Sequence, residues 1–217
     1  MGPVSSSTIR QALFTLLIAQ SRLYAQADGA SWGPVVGLSR TTLTGVVSAE
    51  YRTGFTVGAQ FRKPSRDERT FWQTGISYST RGAAVPNLGA DGSMVLKYVE
   101  VPLSTAWNIP IQNPWITPFV SVGAQLGIRL SCVVTGSTSS GPTSLNCDDP
   151  VFGPSKLAAY DLSLSGGGGA TVEWGARRIQ VDVRYLSGLR ATMANTRSKN
   201  RGFTLAVGYM MQLHRTE

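Results

Sequence analysis

Arg201–Leu213 reads RGFTLAVGYMMQL, and its alternation decides the fold. Every second residue, Phe203, Leu205, Val207, Tyr209, Met211 and Leu213, is large and apolar. Between them lie Gly202, Thr204, Ala206, Gly208, Met210 and Gln212, small or polar apart from one Met. A period of two sustained over 13 residues implies an extended strand with one greasy and one modest face. Strands in globular proteins usually run about five or six residues, whereas a tilted strand crossing a bilayer needs about 9–11. A terminal strand left unpaired is an aggregation hazard, so this one is expected to pair back onto the first strand and close a barrel.

The totals agree with such a barrel. A length of 217 residues suits one domain, and only 15% of residues are charged, against roughly 25% in a typical soluble domain. A mean hydropathy of -0.01 excludes a bundle of membrane helices, which need apolar runs of about 18 residues or more. Membrane barrels escape such averages because lumen and lipid residues alternate. At the N-terminus, Arg10 precedes the apolar run Ala12–Ala19, and Ala25-Gln26-Ala27 offers a cleavage site. Residues 1–27 are therefore expected to be a secretory signal, leaving 28–217 as the mature barrel domain.

Eight extended segments follow, separated by turn signals. They are Trp32–Ser39, Thr53–Lys63, Arg69–Ala83, Met94–Ile109, Trp115–Leu130, Lys156–Trp174, Arg178–Leu189 and Arg201–Leu213. Long connections follow the first, third, fifth and seventh segments, and short ones follow the second, fourth and sixth. Outer-membrane barrels show this asymmetry, with short periplasmic turns, longer outside loops and an even strand number. The expected fold is all-β: an antiparallel eight-stranded up-and-down transmembrane β-barrel with both termini in the periplasm.

If the apolar faces meet lipid, the opposite faces supply a lumen set of Arg62, Arg81, Glu100, Arg129, Asp161, Glu173, Asp182 and Arg184. Four bases and four acids balance within an interior only wide enough for side chains to fill, so a plugged lumen is expected. Lys97 falls on the lipid side, near the outer end, where its stem can snorkel. Trp32, Trp72, Trp107, Trp115, Trp174 and Tyr185 lie mostly near strand ends, as an aromatic girdle requires. Cys132 and Cys147 share the longest loop, roughly Ser131–Ser155. Export into an oxidising compartment makes a disulfide the expectation, stabilising the fold by about 3 kcal/mol in the chain-entropy model.

Leu96-Lys97-Tyr98-Val99-Glu100-Val101-Pro102-Leu103 resembles the "YLEIPL" strand of the porin-family outer membrane protein beta-barrel domain. Thr74–Gly82 is similar to that family's "E-L-x-Y-S-x-x-G" strand, with Gly75 where an acid is common. Pro118–Gly123 resembles its "P-Y-x-x-x-G" strand, and Gly37-Leu38-Ser39 fits the opening "G-x-x-G-L-N-x-S" loosely. The likeness runs in order through nearly the whole mature chain. It implies an integral barrel of the outer membrane of diderm bacteria, and it brings no catalytic residues.

Chemistry is sparse. Nucleophilic catalysis by a Ser/His/acid set needs a His within hydrogen-bond reach, and the sole His, His214, follows the last strand. Neither Cys belongs to a C-x-x-C pair, so no metal and no cofactor is expected, and the Asp148-Asp149 pair reads as a solvated loop. Gly166–Gly169 lacks the Lys-Ser/Thr of a phosphate loop and is read as a site of strand curvature. The pI near 9.9 comes from scattered bases, and nucleic acid is not an expected partner. One cluster stands out: Arg190, Arg197, Lys199 and Arg201, placed in the last outside loop and expected to contact lipopolysaccharide phosphates. The expected function is a monomeric, non-catalytic barrel that presents loops to an extracellular ligand or partner protein. Its other partners are outer-membrane lipid and the barrel-assembly machinery during insertion. The alternatives are a narrow porin-like passive channel and a soluble lipid-binding barrel.

Overall fold

The computed structural model describes residues 29–45, 48–67, 69–88, 92–113, 115–138, 141–147, 149, 157–174, 177–192 and 198–213. The expected signal at 1–27, together with Asp148, Arg197 and His214, lies outside them. Among the described residues nine strands run in order: β1 (Ser31–Leu43), β2 (Glu50–Pro64), β3 (Thr70–Ala84), β4 (Ser93–Asn108), β5 (Ile116–Thr138), β6 (Gly141–Asn146), β7 (Tyr160–Trp174), β8 (Arg177–Gly188) and β9 (Asn200–Gln212). Eight of them form a closed, all-antiparallel barrel. The ladder of β9 on β1, from Ser31↔Gln212 to Leu43↔Asn200, makes the closure. Closure leaves the barrel wall without an edge.

Alternation sorts the side chains. Leu38 is 61% exposed on the outside, whereas Arg81 is 4% and Asp182 2% exposed on the inside. The outward positions of β9 are Phe203, Leu205, Val207, Tyr209 and Met211, and its inward ones include Ala206 and the fully buried Met210. Trp32, Trp72, Trp107 and Trp115 all point outward at the end of the barrel carrying the short turns. The side chain of Trp174 lies outside the described residues. Lys97 also faces outward, near the long-loop end.

The strands run further into the long-loop end than the sequence suggests. β1 continues through Arg40, Thr41, Thr42 and Leu43, and β2 begins at Glu50, where a loop to about Arg52 was expected. Ser39 Oγ donates to the carbonyl of Thr80 and Thr41 Oγ1 to that of Gly82. Hydroxyls inside the barrel thus tie β1 to β3 above the apolar band. Gly82 itself has φ +134°, and a Cβ there would lie 1.9 Å from the Met94 carbonyl oxygen, so only glycine fits.

The loop expected at Ser131–Ser155 is partly strand. A bulge at Leu130 separates the pair Lys97↔Ser131 from Tyr98↔Arg129. The extra residue reverses the inside–outside parity of β5, so Cys132 turns inward. β5 then continues to Thr138 and returns as β6, paired from Val133↔Asn146 to Thr138↔Gly141. The barrel is eight-stranded, with this hairpin as an added arm. Ser, Thr and Gly dominate the arm, and such residues read as loop because backbone pairing there leaves no apolar alternation.

The interior has three layers. At the long-loop end, Leu43, Ala83, Met94, Leu96, Tyr98, Cys132 and Cys147 form an apolar cluster. Charged and amide groups fill the middle. At the short-turn end, Phe71, Ala106 and Phe119 form a second cluster. The two rings meet edge to face at 5.3 Å, an arrangement favoured by their quadrupoles.

Candidate functional site

The lumen holds the densest concentration of charge. Arg81 of β3 reaches across it, Nη2 lying 2.7 Å from Glu100 Oε1 on β4 and Nη1 3.5 Å from Asp161 Oδ2 on β7. Gln125 Nε2 donates to Glu100 Oε2 at 2.5 Å. Asn200 Nδ2 lies 3.3 Å from both the Tyr98 hydroxyl and Asp161 Oδ2, and Ser163 Oγ donates to the same carboxylate oxygen at 3.1 Å. One network therefore joins β3, β4, β5, β7 and β9. On β8, Arg184 grips Asp182 through Nε at 2.6 Å and Nη2 at 3.0 Å, a two-pronged contact that only a guanidinium makes.

Arg62 serves the short-turn end. Its Nη1 donates to Thr171 Oγ1 across the barrel at 2.8 Å, and its Cζ sits 3.6 Å above the Phe71 ring. Glu173 lies at the rim, partly exposed, with Arg178 Nε 3.0 Å away. Arg129 stands towards the other end, its Nε donating to the Ala158 carbonyl at 3.2 Å. The eight charged lumen residues thus divide: Arg81, Glu100 and Asp161 share one network, Asp182 and Arg184 pair along one strand, and Arg62, Glu173 and Arg129 each have partners outside these two groups.

A cavity of about 60 Å³ is lined by Gln60, Ser79, Arg81, Glu100, Gln125 and Arg184 among others. A water needs at least about 10–15 Å³ of such space, so the cavity has room for a few waters. The layers on either side of the charged belt are packed with side chains.

Several interior residues escaped sequence reasoning. Phe71 and Phe119 plug the short-turn end, and Met94, Leu96 and Tyr98 line the long-loop end. The signal for the latter was present: counting back from Glu100 in twos reaches Tyr98, Leu96 and Met94, an apolar run on the inward face. The ring of Phe119 also explains one glycine of the Gly166–Gly169 run. A Cβ on Gly169 would lie 2.8 Å from that ring and 2.1 Å from the Val181 carbonyl oxygen.

Cys132 and Cys147 are disulfide-bonded, with Cα atoms 5.4 Å apart. They sit opposite one another at the root of the β5–β6 hairpin, where Cys147 N donates to Cys132 O at 3.1 Å. Both are buried in the apolar cluster. The arm is stapled into the core of the barrel mouth.

The basic cluster lies outside the lumen. Arg190 follows β8, with its Cζ 3.8 Å above the Tyr160 ring. Arg201 faces outward on β9, and Lys199 is exposed with its backbone N–H donating to Thr44 Oγ1 at 3.1 Å. Arg40, not in the sequence-derived cluster, joins this surface from β1, its Cζ 5.9 Å from the Tyr51 ring centre.

No family model and no curated protein matches the chain. Among solved structures it resembles Ail, the attachment invasion locus protein of Yersinia pestis, at 15% identity over 85% of this chain and 99% of that one, with a TM-score of 0.44. Neisserial surface protein A is similar at 12% identity over 86% and 100% of the two chains, with a TM-score of 0.48. The outer membrane protein AlkL is similar at 11% identity over 88% and 93%, with a TM-score of 0.34. All three are small eight-stranded outer-membrane barrels. The likeness is one of architecture and carries nothing about role.

Proposed function

We propose that this protein is an integral barrel of the bacterial outer membrane, with a sealed lumen, acting without catalysis through its outward connections. The observation that carries this reading is the inverted distribution of polarity. Large apolar side chains face outward on all eight barrel strands, while Arg81, Glu100, Asp161 and Asp182 are buried inside. Phe203 to Met211 covers about 26 Å of strand at ~3.3 Å per residue, or roughly 20 Å of depth at a tilt of about 40°. That approaches the ~25 Å apolar band of outer-membrane barrels. The tryptophans at the short-turn end fit a membrane interface, and the short turns there support the reading that this end is periplasmic and the β5–β6 arm lies outside.

The interior argues against the two alternatives. A soluble lipid carrier needs an apolar cavity, and the middle of this lumen is ionic. A passive channel needs a continuous path, and the aromatic and apolar layers interrupt it. The Asp and Glu carboxylates of the lumen belt are engaged by arginines and amides, which supports a structural duty for them over a catalytic one. The stapled arm is the feature best built for contact with an extracellular ligand or partner protein. Membrane fractionation combined with heat-modifiable gel mobility tests location and closure together. Recovery in the aqueous fraction after a carbonate wash would refute the membrane assignment. Stable, reproducible conductance in planar bilayers would refute the sealed lumen.

A further inference from the structure

Two arginines lie side by side where the outward apolar band stops, and a third lies beyond the end of the neighbouring strand β8. Arg40 on β1 is paired with Phe203 of β9, and Arg201 on β9 is paired with Thr42 of β1. The two arginines are therefore diagonal neighbours on one face, a relation that places Cβ atoms about 7–8 Å apart. Arg190 caps the adjoining strand pair, stacked on the exposed Tyr160 at the start of β7. Immediately below them, exposed Leu38, Tyr185, Phe203 and Leu205 form a continuous greasy surface.

Charge balance sets this surface apart from the lumen. Inside, Arg81 and Arg184 each meet a carboxylate. Among the described residues, β1, β8 and β9 carry a single carboxylate, Asp182, and it points into the lumen. Among the described residues Arg40, Arg190 and Arg201 form no ion pair, the exposed Glu50 at the start of β2 included, and they present their charge beside apolar surface. Stacking on Tyr160 covers one guanidinium face of Arg190 and leaves its in-plane N–H donors available, while Arg40 lies 5.9 Å from the Tyr51 ring centre. That is the geometry suited to forked phosphate contacts.

We propose that the seam of β8, β9 and β1 binds a phosphorylated glycolipid of the outer leaflet, the lipid portion of lipopolysaccharide. Its acyl chains lie along Leu38, Phe203 and Leu205, and its phosphates sit between Arg40, Arg190 and Arg201. This rests on the membrane-spanning reading above and revises the expected cluster. Arg40 enters it, Lys199 stands above the seam, and Arg197 lies outside the described residues. Lys97 on β4, remote from the seam around the barrel, serves as an internal control.

The test is binding of bisphosphorylated lipid A to the refolded barrel in neutral detergent, followed by native mass spectrometry. An anionic surface is worth about 1 kcal/mol per cation, which is roughly fivefold. Arg201→Gln alone should therefore weaken binding about fivefold, and the Arg40→Gln/Arg190→Gln/Arg201→Gln variant about a hundredfold. Lys97→Gln should leave it unchanged. Equal binding by the triple variant would overturn the proposal, as would equal binding of dephosphorylated lipid A to the wild-type barrel. Full competition by inorganic phosphate would assign the seam to the free ion and overturn it too. Heat-modifiable mobility, measured on each variant, separates loss of the seam from loss of the barrel.

Discussion

Replacing Arg81 with Met removes the one cation that Glu100 and Asp161 share. In the native barrel its guanidinium lies 2.7 Å from the first carboxylate and 3.5 Å from the second, and all three residues are at most 5% exposed. Breaking a buried pair by deleting one partner costs about 3–5 kcal/mol, because the charge left behind is uncompensated. Here two carboxylates are left behind, so the upper part of that range is expected. Gln125, Asn200 and Ser163 still donate to them, which keeps the loss from exceeding it. Replacing the whole set, Arg81→Met with Glu100→Gln and Asp161→Asn, should recover most of the loss, since a neutral hydrogen-bonded set carries no desolvated charge. The assay is urea unfolding of the barrel folded into phospholipid vesicles, followed by tryptophan fluorescence and gel mobility. A single variant within about 1 kcal/mol of wild type, below the range for a buried pair, would refute the reasoning. So would a triple variant no more stable than the single one.

Removing the disulfide by Cys132→Ala/Cys147→Ala should lower stability by about 3 kcal/mol, read as a shift in the urea midpoint. Because both sulfurs are buried, the folded wild type should resist mild reductant, as thiol labelling would show. Truncating Phe119 to Ala empties half of the short-turn plug and should cost about 3–5 kcal/mol, while planar-bilayer recordings stay silent because the apolar layer at the long-loop end persists. Gly169→Leu should abolish folding outright, seen as loss of the heat-shifted band, since its side chain would collide with the Phe119 ring and the Val181 carbonyl. Replacing Tyr209, Met211 and Leu213 with Asp should block insertion, and normal outer-membrane yield of that variant would contradict barrel closure through β9.

Much of the barrel was legible because a period of two carries its own assignment of faces. Phe203 to Met211 and Ile179 to Tyr185 declare the outside without reference to any other strand. What the alternation does not encode is pairing. Nothing local says that Arg81 chooses Glu100 and Asp161, or that Arg184 takes Asp182 two positions back on its own strand. The arm was hidden for a different reason: the bulge at Leu130 shifts parity, and beyond it the ladder is held by backbone groups and a disulfide instead of apolar side chains. Arg40 was hidden with it, since Thr41 and Thr42 resemble a loop until the Thr41 hydroxyl is seen bonding inside the wall. The apolar layer at Met94, Leu96 and Tyr98 was obscured because both faces of that strand are greasy there.

The staple at the root of the β5–β6 hairpin fixes the arm to the barrel mouth below its tip. Three ladder pairs, Gly136↔Thr143 to Thr138↔Gly141, lie between any residue inserted after Thr138 and the last β4–β5 pair, Ser93↔Thr135, with the covalent link below them. A foreign peptide grafted there would be held at both ends by a clasp already anchored in packed side chains. The entropy of closing that added length falls on the clasp and not on the transmembrane strands, and it grows by only about 0.6 kcal/mol for each doubling of the insert. The same clasp would let a display scaffold vary the tip without altering the wall.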